Sequence, residues 1–118
     1  MTSFELVKTA VKLLDDKKAT DINVLDIGEL TSLGDYFVIA SGGSTTQVKS
    51  LAGELEDKLS AAGMEPRRVE GESSAMWVLM DYGDVIIHIF YKETRDFYCL
   101  ERLWADAPEV DVEKLLAD

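Results

Sequence analysis

The chain has 118 residues, 47% of them apolar, and a formal net charge of −11, since 12 Lys and Arg stand against 23 Asp and Glu. This length predicts one domain over residues 1–118, because it supplies enough apolar side chains for one core and too few for two. An acidic surface repels a phosphate backbone. The charge therefore predicts little direct nucleic-acid contact and favours a basic protein partner, unless it serves only to keep the protein soluble.

The chain shows no targeting signal. No apolar run reaches the roughly 18 residues of a membrane span, and the N-terminal stretch lacks the basic n-region of a signal peptide. Both observations predict a cytoplasmic protein without membrane contact. The single cysteine, Cys99, excludes an intramolecular disulfide and a cysteine-rich zinc site, and we expect it to be a small buried residue.

Two segments have the capping residues and the apolar spacing of helices. Residues 3–18 follow Thr2, which has capping-box spacing to Glu5, and their apolar side chains recur at helical intervals. Ser44 and Gln47 have the same spacing after a pair of glycines, and an apolar stripe follows them. This pattern predicts a second helix that begins at Ser44.

The other segments predict strands and two short C-terminal helices, because they alternate or are rich in β-branched and aromatic residues. The predicted strands are residues 21–30, 36–41 and 64–72 and the two arms of a hairpin within 76–91. The predicted C-terminal helices cover 94–104 and roughly 110–116. This order predicts a mixed five-stranded sheet with packed helices, of the α/β or α+β class.

The hairpin within Met76–Tyr91 carries the only histidine of the chain. A two-residue loop at Tyr82-Gly83 would place Trp77 directly opposite His88. Because side chains alternate along a strand, one face of the hairpin is almost wholly aliphatic and belongs against the helices. The other face carries Trp77, Leu79, Asp81, Asp84, Ile86, His88 and Phe90.

This second face combines an aromatic anchor, aliphatic neighbours and a polar tip, which is the composition of a protein interface. The alternative is that a helix covers the face and that His88 is a satisfied core histidine. Asp81 and Asp84 at the tip are a weak candidate for a magnesium site, because such sites usually also need phosphate oxygens. We therefore predict no metal and no cofactor.

The segment SGGSTT, residues 41–46, joins a strand to the second helix. Backbone donors and the helix dipole make such a position receptive to anions. The segment lacks the lysine of a P-loop and the three-glycine spacing of a dinucleotide site. A glycine turn followed by a Ser44 cap is the favoured interpretation.

Three blocks of the sequence resemble the signature segments of the ribosomal silencing factor family, also called Iojap-like proteins. They are DYFVIASGGSTTQV at 35–48, WVLMDYGDVIIHIF at 77–90 and RDFYCLERLWADA at 95–107. The resemblance implies a translation repressor that binds the large ribosomal subunit at the ribosomal protein numbered fourteen and blocks subunit joining when nutrients are short. It also implies a fold like a nucleotidyltransferase core, but the Asp-x-Asp of those enzymes is missing from MEPRRVEG at 64–71.

The resulting hypothesis is a binding protein without catalytic residues. The residues expected to contact the partner are Trp77, Leu79, Asp81, Ile86, His88, Phe90, Arg95 and Tyr98. One alternative is a degenerate nucleotidyltransferase or nucleotide-binding protein that uses Ser44, Asp81 and Asp84. Another is a homodimer of the free protein through the face that bears Trp77.

Overall fold

Six strands form one mixed sheet in the computed structural model, which describes residues 1–32, 34–98 and 105–117. In chain order the strands are β1 Thr20–Asp26, β2 Tyr36–Gly42, β3 Arg68–Glu70, β4 Trp77–Asp81, β5 Val85–Tyr91 and β6 Glu109–Val110. Their order across the sheet is β3-β4-β5-β2-β1-β6. β2 and β5 are parallel, and the other neighbouring pairs are antiparallel, so the predicted mixed sheet is confirmed.

The helices that the structure describes are α1 Ser3–Asp16, α2 Thr45–Ala61, α3 Lys92–Tyr98 and α4 Val112–Ala117. The Thr2 hydroxyl accepts a hydrogen bond from the Glu5 amide at 3.1 Å. The Ser44 hydroxyl accepts one from the Gln47 amide at 3.0 Å. Both predicted N-caps are confirmed, and each satisfies an amide that the first helical turn leaves without a partner. Within the described ranges, no helix combines the length and the apolar character needed to cross a membrane.

The two faces of the sheet carry separate apolar clusters. The larger cluster joins α1 and α2 to sheet residues that include Val38, Ala40, Val78, Met80, Ile87 and Ile89. The smaller cluster, on the opposite face, consists of Leu25, Ile27, Phe37, Ile39, Phe90 and Ala107, with Trp77 and Ile86 packed against it. The aliphatic face of the hairpin therefore lies against the helices, as alternation predicts.

Several element boundaries differ from the prediction, and β3 spans only Arg68–Glu70 where a strand over 64–72 was predicted. The sheet has a sixth strand, because Val110 and Glu109 pair with β1 at a position where a helical turn was predicted. The first strand ends at Asp26 rather than at residue 30, since the Ile27 carbonyl accepts hydrogen bonds from the amides of two residues in the following turn. The helix predicted over 94–104 begins at Lys92, and its residues 99–104, including Cys99, lie outside the described residues.

Candidate partner-binding surface

The hairpin turn determines which side chains face each other across β4 and β5. The Tyr82 amide donates to the Val85 carbonyl at 2.9 Å, so the two loop residues are Gly83 and Asp84. The predicted loop at Tyr82-Gly83 is therefore wrong. Gly83 has a φ of +89°, and a two-residue loop with positive φ at its first position favours glycine there. Asp81 Oδ1 also accepts a hydrogen bond from the Gly83 amide at 2.8 Å, which stabilises this turn.

The observed register differs by two residues from the predicted one. Trp77 lies opposite Phe90, and Leu79 lies opposite His88. The prediction that Trp77 directly opposes His88 is therefore wrong. Because a shift of two residues leaves every side chain on its face, the predicted division of the hairpin into two faces is nevertheless confirmed. We call the face formed by Trp77, Leu79, Asp81, Ile86, His88 and Phe90 the Trp77 face.

Ring contacts across the strands hold the Trp77 indole. It stacks on Phe90, with 5.0 Å between ring centroids and 22° between ring planes. Its Nε1 donates a hydrogen bond to His88 Nδ1 at 3.0 Å. Trp77 and His88 form a diagonal pair. Phe90 directly opposes Trp77, and His88 lies two residues before Phe90 on the same face, within reach of a long side chain. The indole is half-buried, so part of its surface faces outward.

The His88 imidazole lies beneath this indole and is 4% exposed. Phe37 of β2 meets it edge-on, with ring centroids 4.9 Å apart. Burial lowers the pKa of His88 from 6.5 to about 4, because a charged imidazole is poorly solvated there. A neutral imidazole that accepts at Nδ1 carries its proton on Nε2. Among the residues that the structure describes, Nε2 of His88 is buried and has no hydrogen-bond partner.

The predicted partner-binding residues divide into two sets by exposure. Trp77, Leu79, Asp81 and Ile86 are half-buried and present part of their surface. Phe90, His88 and Arg95 are buried, so their side chains support the surface from behind. Tyr98 is the last residue of α3, and its side chain lies outside the described part of the structure.

Arg95 connects α3 to β1 and β2. Its Nη1 donates to Ser41 Oγ at 2.9 Å and to the Asp21 carbonyl oxygen. The Asp21 carbonyl belongs to an irregular part of β1, where the register with β2 shifts and Asp21 has a positive φ. The Arg95 side chain is 6% exposed. It therefore fixes the backbone next to the Trp77 face and does not reach the surface.

β3 adds charged residues to the rim of the Trp77 face that the sequence analysis did not identify. Arg68 lies opposite Asp81, and Glu70 lies opposite Leu79. Directly opposed residues of antiparallel strands share a face, so both belong to the same surface. Arg68 Nε lies 3.5 Å from Asp81 Oδ2, and its Nη1 lies 3.4 Å from Glu70 Oε1. The alternation of side chains in β3 is visible in the sequence, but the sequence does not show that β3 pairs with β4.

The whole chain matches one protein family. The family is described as "Ribosomal silencing factor during starvation", and the match covers residues 1–118. The chain belongs to the ribosomal silencing factor family. Similar members include the ribosomal silencing factor of Halalkalibacterium halodurans, 41% identical over 117 residues, with 99% of this chain and 100% of that one covered.

A second member of the family is similar in sequence, and a solved structure is similar in sequence and in fold. The ribosomal silencing factor of Bacillus subtilis is 41% identical over 113 residues, which is 96% of each chain. The crystal structure of a Chromobacterium violaceum protein is 42% identical and superimposes with a TM-score of 0.86. That superposition covers 89% of this chain and 88% of the other, so the fold described above extends to a solved relative.

In this member of the family, Ser44 and the hairpin aspartates lie at opposite ends of the sheet. β2 and β5 run parallel, with Tyr36 beside Val85 at one end and Gly42 beside Tyr91 at the other. Ser44 follows the second end, whereas Asp81 and Asp84 flank the first. Seven strand residues separate the two ends, which corresponds to about 20 Å at the rise of a β-strand. The structure does not bring together the residues of the alternative transferase hypothesis.

The glycine-serine turn uses its polar groups within the chain. The Gly43 amide donates to Gln47 Oε1 at 2.6 Å, and Gln47 Nε2 donates to the Lys18 carbonyl at 3.3 Å. A Cβ on Gly42 would lie 2.9 Å from a Val48 methyl carbon, so glycine here permits close packing of the helix start against the strand. The turn therefore has a structural explanation in the cap and the packing of α2.

Proposed function

We propose that the protein docks on the large ribosomal subunit through the Trp77 face and silences the ribosome by blocking the small subunit from joining. Membership of the ribosomal silencing factor family supports the silencing role. The docking site on the large subunit is the ribosomal protein numbered fourteen, which is what the sequence resemblance implies. The protein acts in the cytoplasm, as a steric block without chemical turnover.

The arrangement of Trp77 carries this proposal. Its indole is half-buried, held by stacking and by a hydrogen bond, and shares its face of the hairpin with the half-buried Leu79 and Ile86. Binding energy in protein interfaces is concentrated in such central aromatic anchors, with a charged rim that excludes water. Here the rim consists of Asp81, with Arg68 and Glu70 of β3.

The charge of the chain supports a basic partner. The formal net charge is −11, and complementary charge accelerates the encounter of two proteins more than it tightens their complex. We therefore expect the association rate to fall steeply as salt rises from about 50 to 300 mM, because exposed charges are screened over roughly 8 Å at physiological ionic strength. An association rate that does not change over this range would assign the acidity to solubility alone.

The decisive experiment compares one substitution on each face of β4. Trp77→Ala removes the proposed anchor, and Val78→Ala removes a fully buried side chain of the helix-facing core. We expect Trp77→Ala to weaken binding to isolated large subunits by at least ~2 kcal/mol, which is about thirtyfold in affinity. Val78→Ala should lower the free energy of unfolding by about 2 kcal/mol and leave the affinity of the folded protein unchanged.

Two measurements on each variant complete the design. Denaturation midpoints give the folded fraction, and light scattering of mixed subunits reports joining. Trp77→Ala should restore joining in the presence of the protein, whereas Val78→Ala should still block it. If Trp77→Ala binds and blocks as the unmodified protein does, the Trp77 face is not the docking surface. If the folded fraction of Val78→Ala binds large subunits more weakly and Trp77→Ala does not, docking belongs to the helix-facing side of β4.

A further inference from the structure

We propose that His88 is a positioning residue, which holds the Trp77 indole in the orientation in which it docks. This inference rests on the proposed function and deepens it. His88 is buried and has no surface to offer a partner. It acts through Trp77, by means of the hydrogen bond from the indole Nε1 to Nδ1.

Contacts within the sheet fix the orientation of the His88 imidazole, and the imidazole in turn fixes the orientation of the Trp77 indole. Phe37 packs edge-on against His88 with centroids 4.9 Å apart, and Phe90 lies nearly parallel to it at 6.4 Å and 16°. These contacts come from β2 and from within β5, so the ring orientation is set by the sheet. A hydrogen bond is directional, and an acceptor held by the sheet therefore fixes the rotation of the Trp77 ring as well as its place.

Stacking alone would leave the indole with more freedom. Phe90 provides an apolar surface at 5.0 Å, on which an aromatic ring can slide or turn over at little cost. The bond to His88 selects the orientation in which the Nε1 edge points inward, so the opposite edge of the indole is directed outward. An anchor already held in its bound orientation loses less conformational entropy on binding.

The His88 side chain lies in an apolar, aromatic environment. The imidazole is surrounded by the rings of Phe37, Trp77 and Phe90, and its Nε2 is buried and unpartnered in the described part of the chain. Burying a polar atom without a partner costs free energy. The hydrogen bond at Nδ1 is the interaction that an imidazole makes here and a leucine does not.

The test uses variants that differ in the acceptor. His88→Leu fills a similar volume without an acceptor, and His88→Asn keeps an acceptor, the amide oxygen Oδ1, at about the distance of Nδ1 from the backbone. The chain has two tryptophans, Trp77 and Trp104. Both variants are made in a Trp104→Phe background, so that Trp77 is the single remaining tryptophan. We expect His88→Leu to weaken binding to isolated large subunits roughly 3- to 10-fold and His88→Asn to stay within about 2-fold of the parent.

A second readout separates positioning from a purely structural role. Hydrogen exchange of the Trp77 indole N–H in the free protein should accelerate in His88→Leu and remain slow in His88→Asn. In a Trp77→Phe background, which lacks the N–H donor, His88→Leu should cause no further loss of affinity. An equal loss of affinity in both backgrounds would overturn the proposal, because the histidine would then act through the fold and not through the indole.

Failure of this inference is distinguishable from failure of the docking surface. If Trp77→Ala weakens binding and His88→Leu does not, the positioning role is wrong and the Trp77 face stands. If Trp77→Ala leaves binding unchanged, both fail, whatever the exchange rate shows. If Trp77→Ala and His88→Leu each weaken binding, and His88→Leu has no effect in the Trp77→Phe background, the docking surface and the positioning role are both supported.

Discussion

The Arg95 guanidinium donates a hydrogen bond to the Ser41 hydroxyl at 2.9 Å, and both side chains are buried. The same nitrogen donates to the Asp21 carbonyl, so one cation joins α3 to both β1 and β2. We expect Arg95→Met to lower the free energy of unfolding by about 3 kcal/mol, because hydrogen bonds to charged groups are strong and the Ser41 hydroxyl would stay buried without its donor.

Two controls identify the origin of that loss. Lys92→Met removes an exposed cation from the same helix and should change stability by less than about 0.5 kcal/mol. Ser41→Ala should cost less than Arg95→Met, since the Asp21 carbonyl keeps its donor. Urea denaturation measures all three. Equal effects of Arg95→Met and Lys92→Met would show that the guanidinium does not hold the strands.

Tyr82 carries a buried hydroxyl that has no hydrogen-bond partner among the described residues. Burial raises the pKa of Tyr82 to about 12, and the carboxylates of Glu56 and Glu65 contribute in the same direction. Tyr82→Phe removes the unsatisfied hydroxyl and keeps the ring. We expect the variant to be as stable as the parent or up to about 1 kcal/mol more stable. A loss of stability in urea denaturation would mean that the hydroxyl has a partner.

Local patterns predicted the long elements of the fold. α1 was predicted over 3–18 and spans Ser3–Asp16, and β2 was predicted over 36–41 and spans Tyr36–Gly42. Capping residues and apolar periodicity are properties of the segment itself, so they can be recognised in sequence. β6 is only two residues long and exists because β1 offers a free edge to pair with. A strand of that kind depends on a distant segment and leaves no local pattern.

The candidate surface could be predicted in part for the same reason. Assigning residues to faces needs only the alternation of side chains, and the observed turn preserved it. The register was wrong because the loop residues are Gly83 and Asp84, one position later than predicted, and the hydrogen bond from the Gly83 amide to Asp81 Oδ1 stabilises that turn. The burial of His88 depends on Phe37, which comes from a strand about fifty residues earlier in the chain. Exposure of single residues on the Trp77 face was therefore beyond sequence reasoning.

Gly71 and Gly63 form a matched pair for testing the loop that precedes Trp77. Both have positive φ, +84° and +86° respectively. A Cβ on Gly71 would lie 2.0 Å from the Trp77 carbonyl oxygen, whereas a Cβ on Gly63 would meet nothing within 4 Å. We expect Gly63→Ala to cost about 1 kcal/mol through backbone strain alone. Gly71→Ala should cost at least about 3 kcal/mol, because the backbone at Trp77 must also move.

Denaturation midpoints and large-subunit affinity should be measured for both glycine variants. The folded fraction of Gly71→Ala is expected to bind more weakly than that of Gly63→Ala, since only the former displaces the backbone of Trp77. Equal stability losses in the two variants would show that the close approach between Gly71 and Trp77 is absent in solution.

The depressed pKa of His88 predicts how stability depends on pH. Burial lowers this pKa from 6.5 to about 4, so the folded protein keeps the imidazole neutral while an unfolded chain takes up a proton below pH 6.5. The unfolded state binds more protons between these values, and the free energy of unfolding therefore falls as the pH falls. The stability that depends on a neutral His88 is fully present above pH 6.5. About 2 kcal/mol of it is lost by pH 5, since each pKa unit corresponds to about 1.4 kcal/mol.

His88→Leu is the control for this pH dependence, because it has no titratable group at position 88. Urea denaturation of both proteins from pH 7.5 to pH 5.0 separates the histidine from the carboxylates, which titrate in both. The stability difference between the unmodified protein and His88→Leu should change by about 2 kcal/mol across this range, in favour of the variant at low pH. Parallel curves would mean that His88 accepts a proton in the folded state at its ordinary pKa. A protonated imidazole cannot accept from the Trp77 indole, so parallel curves would also remove the hydrogen bond on which the positioning role depends.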